Sequence, residues 1–230
     1  MTDTVPDPDP DPEPEPAWRR ATAGESRWAA SIALLIAIAC QMVLPVEFTT
    51  HRWLVPAIEL GMLVWSLLMN PNRIDRHSGA LRRVNLALIG VLTVANARAA
   101  WGLVDHIVGG QATNAGRLLV SGAAIWVTNM IAFALWYWEF DRGGPGRRSE
   151  GIREYPDFLF PQMQNPDLAP KDWEPSFVDY LYLSFTNATA FSPTDVLPMT
   201  QWAKLTMLAQ SSVSFVTVIL VVARAVNTLS

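Results

Sequence analysis

Near the C-terminus the chain reads SFTNATAFSPTDVLPMTQWAKL, Ser184 to Leu205, between two apolar runs. Thr, Asn, Ser, Pro and Asp interrupt the hydrophobic pattern, which then resumes. In a soluble protein such a break is a surface loop. In a membrane protein it is a place where polar groups reach lipid depth. The fold turns on which solvent surrounds the flanking runs.

Composition answers that first. Hydrophobic residues make up 50% of the 230, only 17% are charged, and ten are Trp, a balance that points to a membrane protein. The net charge of −4 misleads, because the acid is concentrated at the front, in VPDPDPDPEPEPAW (Val5–Trp18). Alternating Pro removes every second backbone donor and the like charges repel, so residues 1–26 read as an extended, solvated tail. The single Cys40 excludes an intramolecular disulfide. His51, His77 and His106 lack ligand spacing, so no metal is expected. No phosphate-cradling loop and no nucleophile motif is present, so neither an enzyme nor a cofactor is expected, and no nucleic-acid partner.

Four apolar segments follow the tail: Trp28–Leu44, stopped by Pro45; Trp53–Met69, stopped by Asn70-Pro71; Val84–Val104; and Gly116–Trp138. At about 1.5 Å per residue each spans roughly 25–35 Å, the thickness of a bilayer core. Trp28, Trp53 and the Trp136-Tyr137-Trp138 run fit interfacial anchoring. Arg19, Arg20 and Arg27, the four Arg of residues 70–83, and Arg142, Arg147, Arg148 and Arg153 place those stretches in the cytoplasm by the positive-inside rule. The chain then divides into the tail, four transmembrane helices over 27–140, a long Pro-rich connection over 141–175, and a C-terminal module over 176–230. Phe158, Leu159, Phe160 and Met163 imply that the connection lies on an apolar surface.

The module opens with Ser176, and Asp179 stands three residues on. This capping-box pattern starts a helix after Pro175. The helix is expected to run to about Phe191, short for a full crossing, with Pro193 beyond it. The last apolar segment runs from Trp202 to Leu229.

In that order (short helix, polar turn, long helix) the module resembles the pore module of potassium channels. Ala190, Phe191, Ser192, Pro193 and Thr194, preceded by Thr189, fall on the filter, Asp195 on its closing Asp, and Pro198 and Thr200 on the Pro-x-Thr that follows. The departures are chemical. A potassium filter strips water from the ion with rings of backbone carbonyls. Here Ser192 and Thr194 hold the glycine positions, and Pro193 fixes its own φ and pushes Ser192 toward extended geometry. The site reads as pore-like without potassium selectivity. Over residues 28–228 the chain also resembles a bacterial family of integral membrane proteins of unknown function, on FVDYLYLSFT, SPTDV and ARAVN. That resemblance implies architecture and no established activity.

The expected fold is therefore all-α: a polytopic bundle of five full transmembrane helices plus the short pore-like helix and turn. It is placed in the plasma membrane with a cytoplasmic N-terminus. The short segment either spans or re-enters. Counting six membrane segments puts both termini inside. Within the bundle Glu59 and Arg98 stand about 15 and 21 Å above the Arg-rich loop, which predicts an ion pair between them. Gln41, Asn96, Thr128 and Asn129 are expected to bond between helices. Two functions lead, and a small transporter or lipid-handling protein stays open beside them. In one, copies assemble, as a tetramer in the potassium-channel manner, so that Thr186, Thr189, Ser192, Thr194 and Asp195 line an opening for monovalent cations. In the other, the chain is a non-conducting scaffold.

Overall fold

The computed structural model of the protein describes residues 15–49, 52–69, 73–74, 79–110, 114–152, 155–189 and 195–229. The long helices are α1 (Trp28–Val43), α2 (Leu54–Met69), α3 (Gly79–Val108) and α4 (Ala115–Phe140). After them come the short α5 (Pro145–Ser149) and α6 (Pro161–Gln164), then α7 (Phe177–Thr189) and α8 (Gln201–Leu229). Two-residue strands pair antiparallel at one end of the bundle: β1 (Glu25–Ser26) with β2 (Arg73–Ile74), and β3 (Phe158–Leu159) with β4 (Leu197–Pro198).

Local chemistry sets the boundaries. Leu44 is extended and Pro45 follows, which ends α1. Pro56 lies in the first turn of α2, where its missing N–H costs nothing. The Asn114 side chain caps α4 by accepting from Arg117 N–H at 3.0 Å. At the other end of α4 the chain turns sharply through Arg142 (φ 51°), Gly143 (φ 86°) and Gly144 (φ 99°). A Cβ on Gly144 would stand 2.9 Å from the Glu139 carbonyl, so only glycine fits that turn.

Helix α4 is the hub, packed by α1, α3, α7 and α8. It runs antiparallel to α8: Phe140 meets Trp202 at one end, and Gly122 lies so close to Val221 at the other that a Cβ would come within 2.8 Å. Three helices are long and apolar enough to cross a membrane, those beginning at Gly79, Ala115 and Gln201. The expectation of five full spans is corrected here. Helices α1 and α2 have 16 residues each, about 24 Å against a core of about 30 Å.

The path of α7 is the second correction. Its first turn is fixed beside the end of α4, where Tyr180 Oη–H donates to Asp141 and Phe177 N–H donates to Glu25. Strand β4 pairs with β3 at that same end, Met199 N–H reaches the Asp157 carbonyl at 2.8 Å, and Trp202 Nε1–H reaches Asp157 Oδ1 at 2.9 Å. So α7 and the chain after it enter and leave the bundle at one end. At 13 residues α7 descends about 20 Å, and the eight steps from Thr189 to Leu197 reach up to about 26 Å when extended. Helix α8 then descends parallel to α7, with Ser184 beside Gln210 and Asn187 beside Ser211. The short helix is not a sixth crossing. The outer ends of α1 and α8 consequently lie at opposite ends of the bundle, and not at one.

The 141–175 connection is folded onto the bundle. Phe158 and Phe160 are buried in the same cluster as Tyr137 and Tyr180, edge-on to their rings at 5.1–5.3 Å for Phe158–Tyr137 and Phe160–Tyr180. Met163 joins that cluster.

Candidate functional site

The α7 hairpin begins with the capping box read from the sequence. Asp179 accepts from both the N–H and the hydroxyl of Ser176, at 2.8 Å each. The polar face beyond it turns into the bundle. Gln210 on α8 is completely buried. It donates to Ser184 Oγ at 2.6 Å and the Ser184 carbonyl at 2.9 Å, and accepts from Tyr137 Oη–H at 2.6 Å and Asn187 Nδ2–H at 2.8 Å. Ser184 Oγ–H in turn donates to the Met130 carbonyl at 2.6 Å, and Ser211 donates to Asn187 Oδ1 at 3.0 Å. The result ties α4, α7 and α8 together in the buried core, where an unpaired amide is expensive. Asn129 donates to Ser214 Oγ at 3.0 Å, the interhelical role expected of it.

Thr186, expected to face an opening, is buried and bonds back to the Tyr182 and Leu183 carbonyls at 3.1 and 3.0 Å. Thr189 bonds back to the Thr186 carbonyl at 2.9 Å, and Asp195 is exposed. Ala190, Phe191, Ser192, Pro193 and Thr194 lie outside the described residues.

A second network clamps the hairpin. The Asp141 carboxylate, completely buried, accepts from Asp157 N–H at 2.8 Å, from Phe158 N–H at 3.4 Å and from the Tyr180 hydroxyl. Asp157 in turn receives Arg142 N–H at 2.8 Å, and the Arg142 guanidinium donates to the Trp18 carbonyl. Arg148 reaches the Trp138 carbonyl at 2.6 Å and stands 3.8 Å from Glu25. Glu25 also accepts from Trp138 Nε1–H at 2.7 Å. Burial pushes the Glu25 carboxyl above its ordinary range, against the pull of Arg148 and of these hydrogen bonds. Sequence reading found α7 through its cap but missed this clamp, since Asp141, Asp157 and Glu25 look like loop carboxylates until the loop packs.

The expected Glu59–Arg98 ion pair is not formed among the described residues. Glu59 is completely buried and accepts from Gln41 Nε2–H, 3.0 and 2.9 Å from its two oxygens. Arg98 is exposed. Both register and rotation separate them: Ser66 bonds Asn85, so seven residues on in the antiparallel helices Glu59 is level with Leu92, and Arg98 stands about 9 Å beyond. The buried face of α3 is Leu88, Leu92, Asn96, Ala99 and Leu103, and Arg98 lies about 100° away from Ala99 round the helix. Gln41 does bond between helices as expected, and so does Thr128, which meets the Cys40 side chain of α1 as well as donating to the Ala124 carbonyl of its own helix at 2.8 Å. Asn96 is buried, with Oδ1 unpaired among the described residues.

Beside this pair a cavity of about 590 Å³ opens between α1, α2 and α3, with Gln41, Phe48, Pro56, Gly90 and Arg98 in its wall. Among the described residues no group of three or more His, Cys, Asp or Glu is arranged to hold a metal ion. Compared with protein-family models, with curated proteins and with solved structures, the chain matches none.

Proposed function

We propose that the protein is a multi-pass protein of the cell membrane whose α7 hairpin is a channel-like module. In this reading several copies, four by analogy with potassium channels, bring their hairpins round one axis and pass monovalent cations without potassium selectivity. The observation that supports it is the path of the chain: α7 enters the bundle, the chain returns to the same end, and α8 descends beside α7. Residues 189–195 join α7 to the returning strand, and Asp195 is exposed near β4. A ring of such carboxylates attracts cations.

Orientation follows from charge. Arg19, Arg20, Arg27, Arg82, Arg83, Arg142, Arg147 and Arg148 gather at the end where α7 enters, which the positive-inside rule assigns to the cytoplasm. The hairpin then re-enters from inside, as in inverted pores. Helices α1 and α2 cross as short spans where the bilayer thins to meet them.

A second reading, a non-conducting scaffold, is favoured by a specific feature. Ser184, Thr186 and Asn187 are all hydrogen-bonded within one protomer, so no polar side of the described part of α7 is left over for water. Liposome reconstitution separates the two. The channel reading expects K⁺ and Na⁺ flux that falls at least fivefold in Asp195→Asn, from an oligomeric species. A sealed, monomeric wild type would leave only the scaffold.

A further inference from the structure

We propose that the cavity between α1, α2 and α3 is a lipid site, taking one acyl chain of an anionic phospholipid with its phosphate against Arg98 and Arg52. The inference rests on membrane residence and is independent of ion passage. The volume, about 590 Å³, is that of a small-molecule site.

Its wall along α3 runs from Ala87 through Gly90, Val91, Val94 and Ala95 to Arg98 and Ala99, a single face at helical spacing. From 87 to 98 the stripe runs about 16 Å, close to half of a bilayer core of about 30 Å, hence one leaflet deep. Small residues make the room: a Cβ on Gly90 would meet nothing within 4 Å. The lining also selects the occupant. Among the described residues, Gln41, Thr49, Arg52 and Arg98 are the only polar side chains in an otherwise apolar wall, which suits a hydrocarbon chain that carries an anionic head at the arginine end.

The polar end has the complementary charge. Arg98 is exposed, and Arg52 donates to the Met42 carbonyl at 3.2 Å and lies over the Trp53 ring at 5.6 Å. Neither has a carboxylate within 4 Å among the described residues. Glu47 and Asp105 line the adjoining recess with Arg98, so the cationic side of the rim is the one facing the cavity. The short helices put this rim at headgroup level. Helices α1 and α2 have 16 residues each beside the 30 of α3, and the link after α1 lies on the last two turns of α3, with Phe48 3.4 Å from a Cβ on Gly102 and 5.5 Å from the His106 ring. Beside the tall α3 the bundle is therefore notched, and lipid is what fills a notch in a membrane.

The test is native mass spectrometry of the detergent-purified protein with added phosphatidylglycerol or phosphatidylcholine of identical chains. Wild type should retain phosphatidylglycerol at least tenfold over phosphatidylcholine. Arg52→Gln with Arg98→Gln should lower that retention about fivefold per arginine, and Gly90→Leu, which fills the cavity, should remove both lipids without lowering the melting temperature. Equal retention of the two lipids, or retention indifferent to the variants, overturns the site. A photoactivatable phosphatidylglycerol on wild type gives a check that no misfolded variant can confuse. Adducts on residues 87–98 support the proposal and adducts only elsewhere sink it. Wild type remaining in the aqueous fraction without detergent would remove the membrane reading itself, a separate failure.

Discussion

The two halves of the bundle handle buried polarity in opposite ways. Around α4, α7 and α8 buried side chains are joined into networks: Gln210 alone engages Tyr137, Ser184 and Asn187, and Asp141 engages two backbone N–H groups and Tyr180. Around α1, α2 and α3 there is a cavity, a carboxyl met only by one amide among the described residues, and an arginine turned outward. The first half is built to hold a short helix and a turn in one place. The second leaves room. Rigidity belongs with the hairpin, and capacity for a small guest belongs with the notch.

That contrast can be broken experimentally. The largest effect is expected at Asp141→Ala, which strips the clamp while leaving Arg142 and the Asp157 and Phe158 amides buried. Removing one partner from such a site costs about 3–5 kcal/mol. Melting in detergent should show it, and a drop no larger than that of an exposed-loop variant would mean the clamp is ornamental. Next is Gln210→Leu, nearly equal in volume but unable to bond Ser184, Asn187 or Tyr137. About 2 kcal/mol is expected, since each buried hydrogen bond contributes on the order of 0.5–1.5 kcal/mol. Amide exchange over α7 should rise with it, and unchanged exchange would detach α7 from the network.

The smallest effect sharpens the comparison by pH. Because burial raises the Glu25 carboxyl above its value of 4.5 in the unfolded chain, the native state holds that proton more tightly than the unfolded chain does. Its stabilising contribution is full below that value and fades as pH rises through the folded one. Glu25→Gln should therefore gain on wild type in melting temperature between pH 4.5 and neutrality. A gap that stays constant across that interval would show that Arg148 offsets the burial.

Much of the architecture was legible in the chain. Apolar runs ended by Pro45 and the Arg-rich loop, and the Ser176–Asp179 cap, announce helices because length, missing donors and capping act within a few residues. The site was legible only in part. Glu59 and Arg98 were paired from their heights along the sequence, yet a helix's register and its rotation about its axis are set by what packs against it, and packing gave Glu59 to Gln41. Thr186 looked like a pore-lining hydroxyl until α7 turned that face toward α4 and α8. The direction of the last helix was likewise invisible: charge and length alone allow a crossing or a return.

By itself, then, the amino-acid order determined that long greasy helices would form, where they would stop, and that a short capped helix would precede the last one. These are matters of local sterics and solvation. Tertiary structure alone decided that the short helix turns back, that loop carboxylates at 141 and 157 become its buried anchors, and that two helices fall short beside a taller one. Those outcomes depend on residues more than a hundred positions apart, such as Glu25 with Phe177, and no local rule relates them.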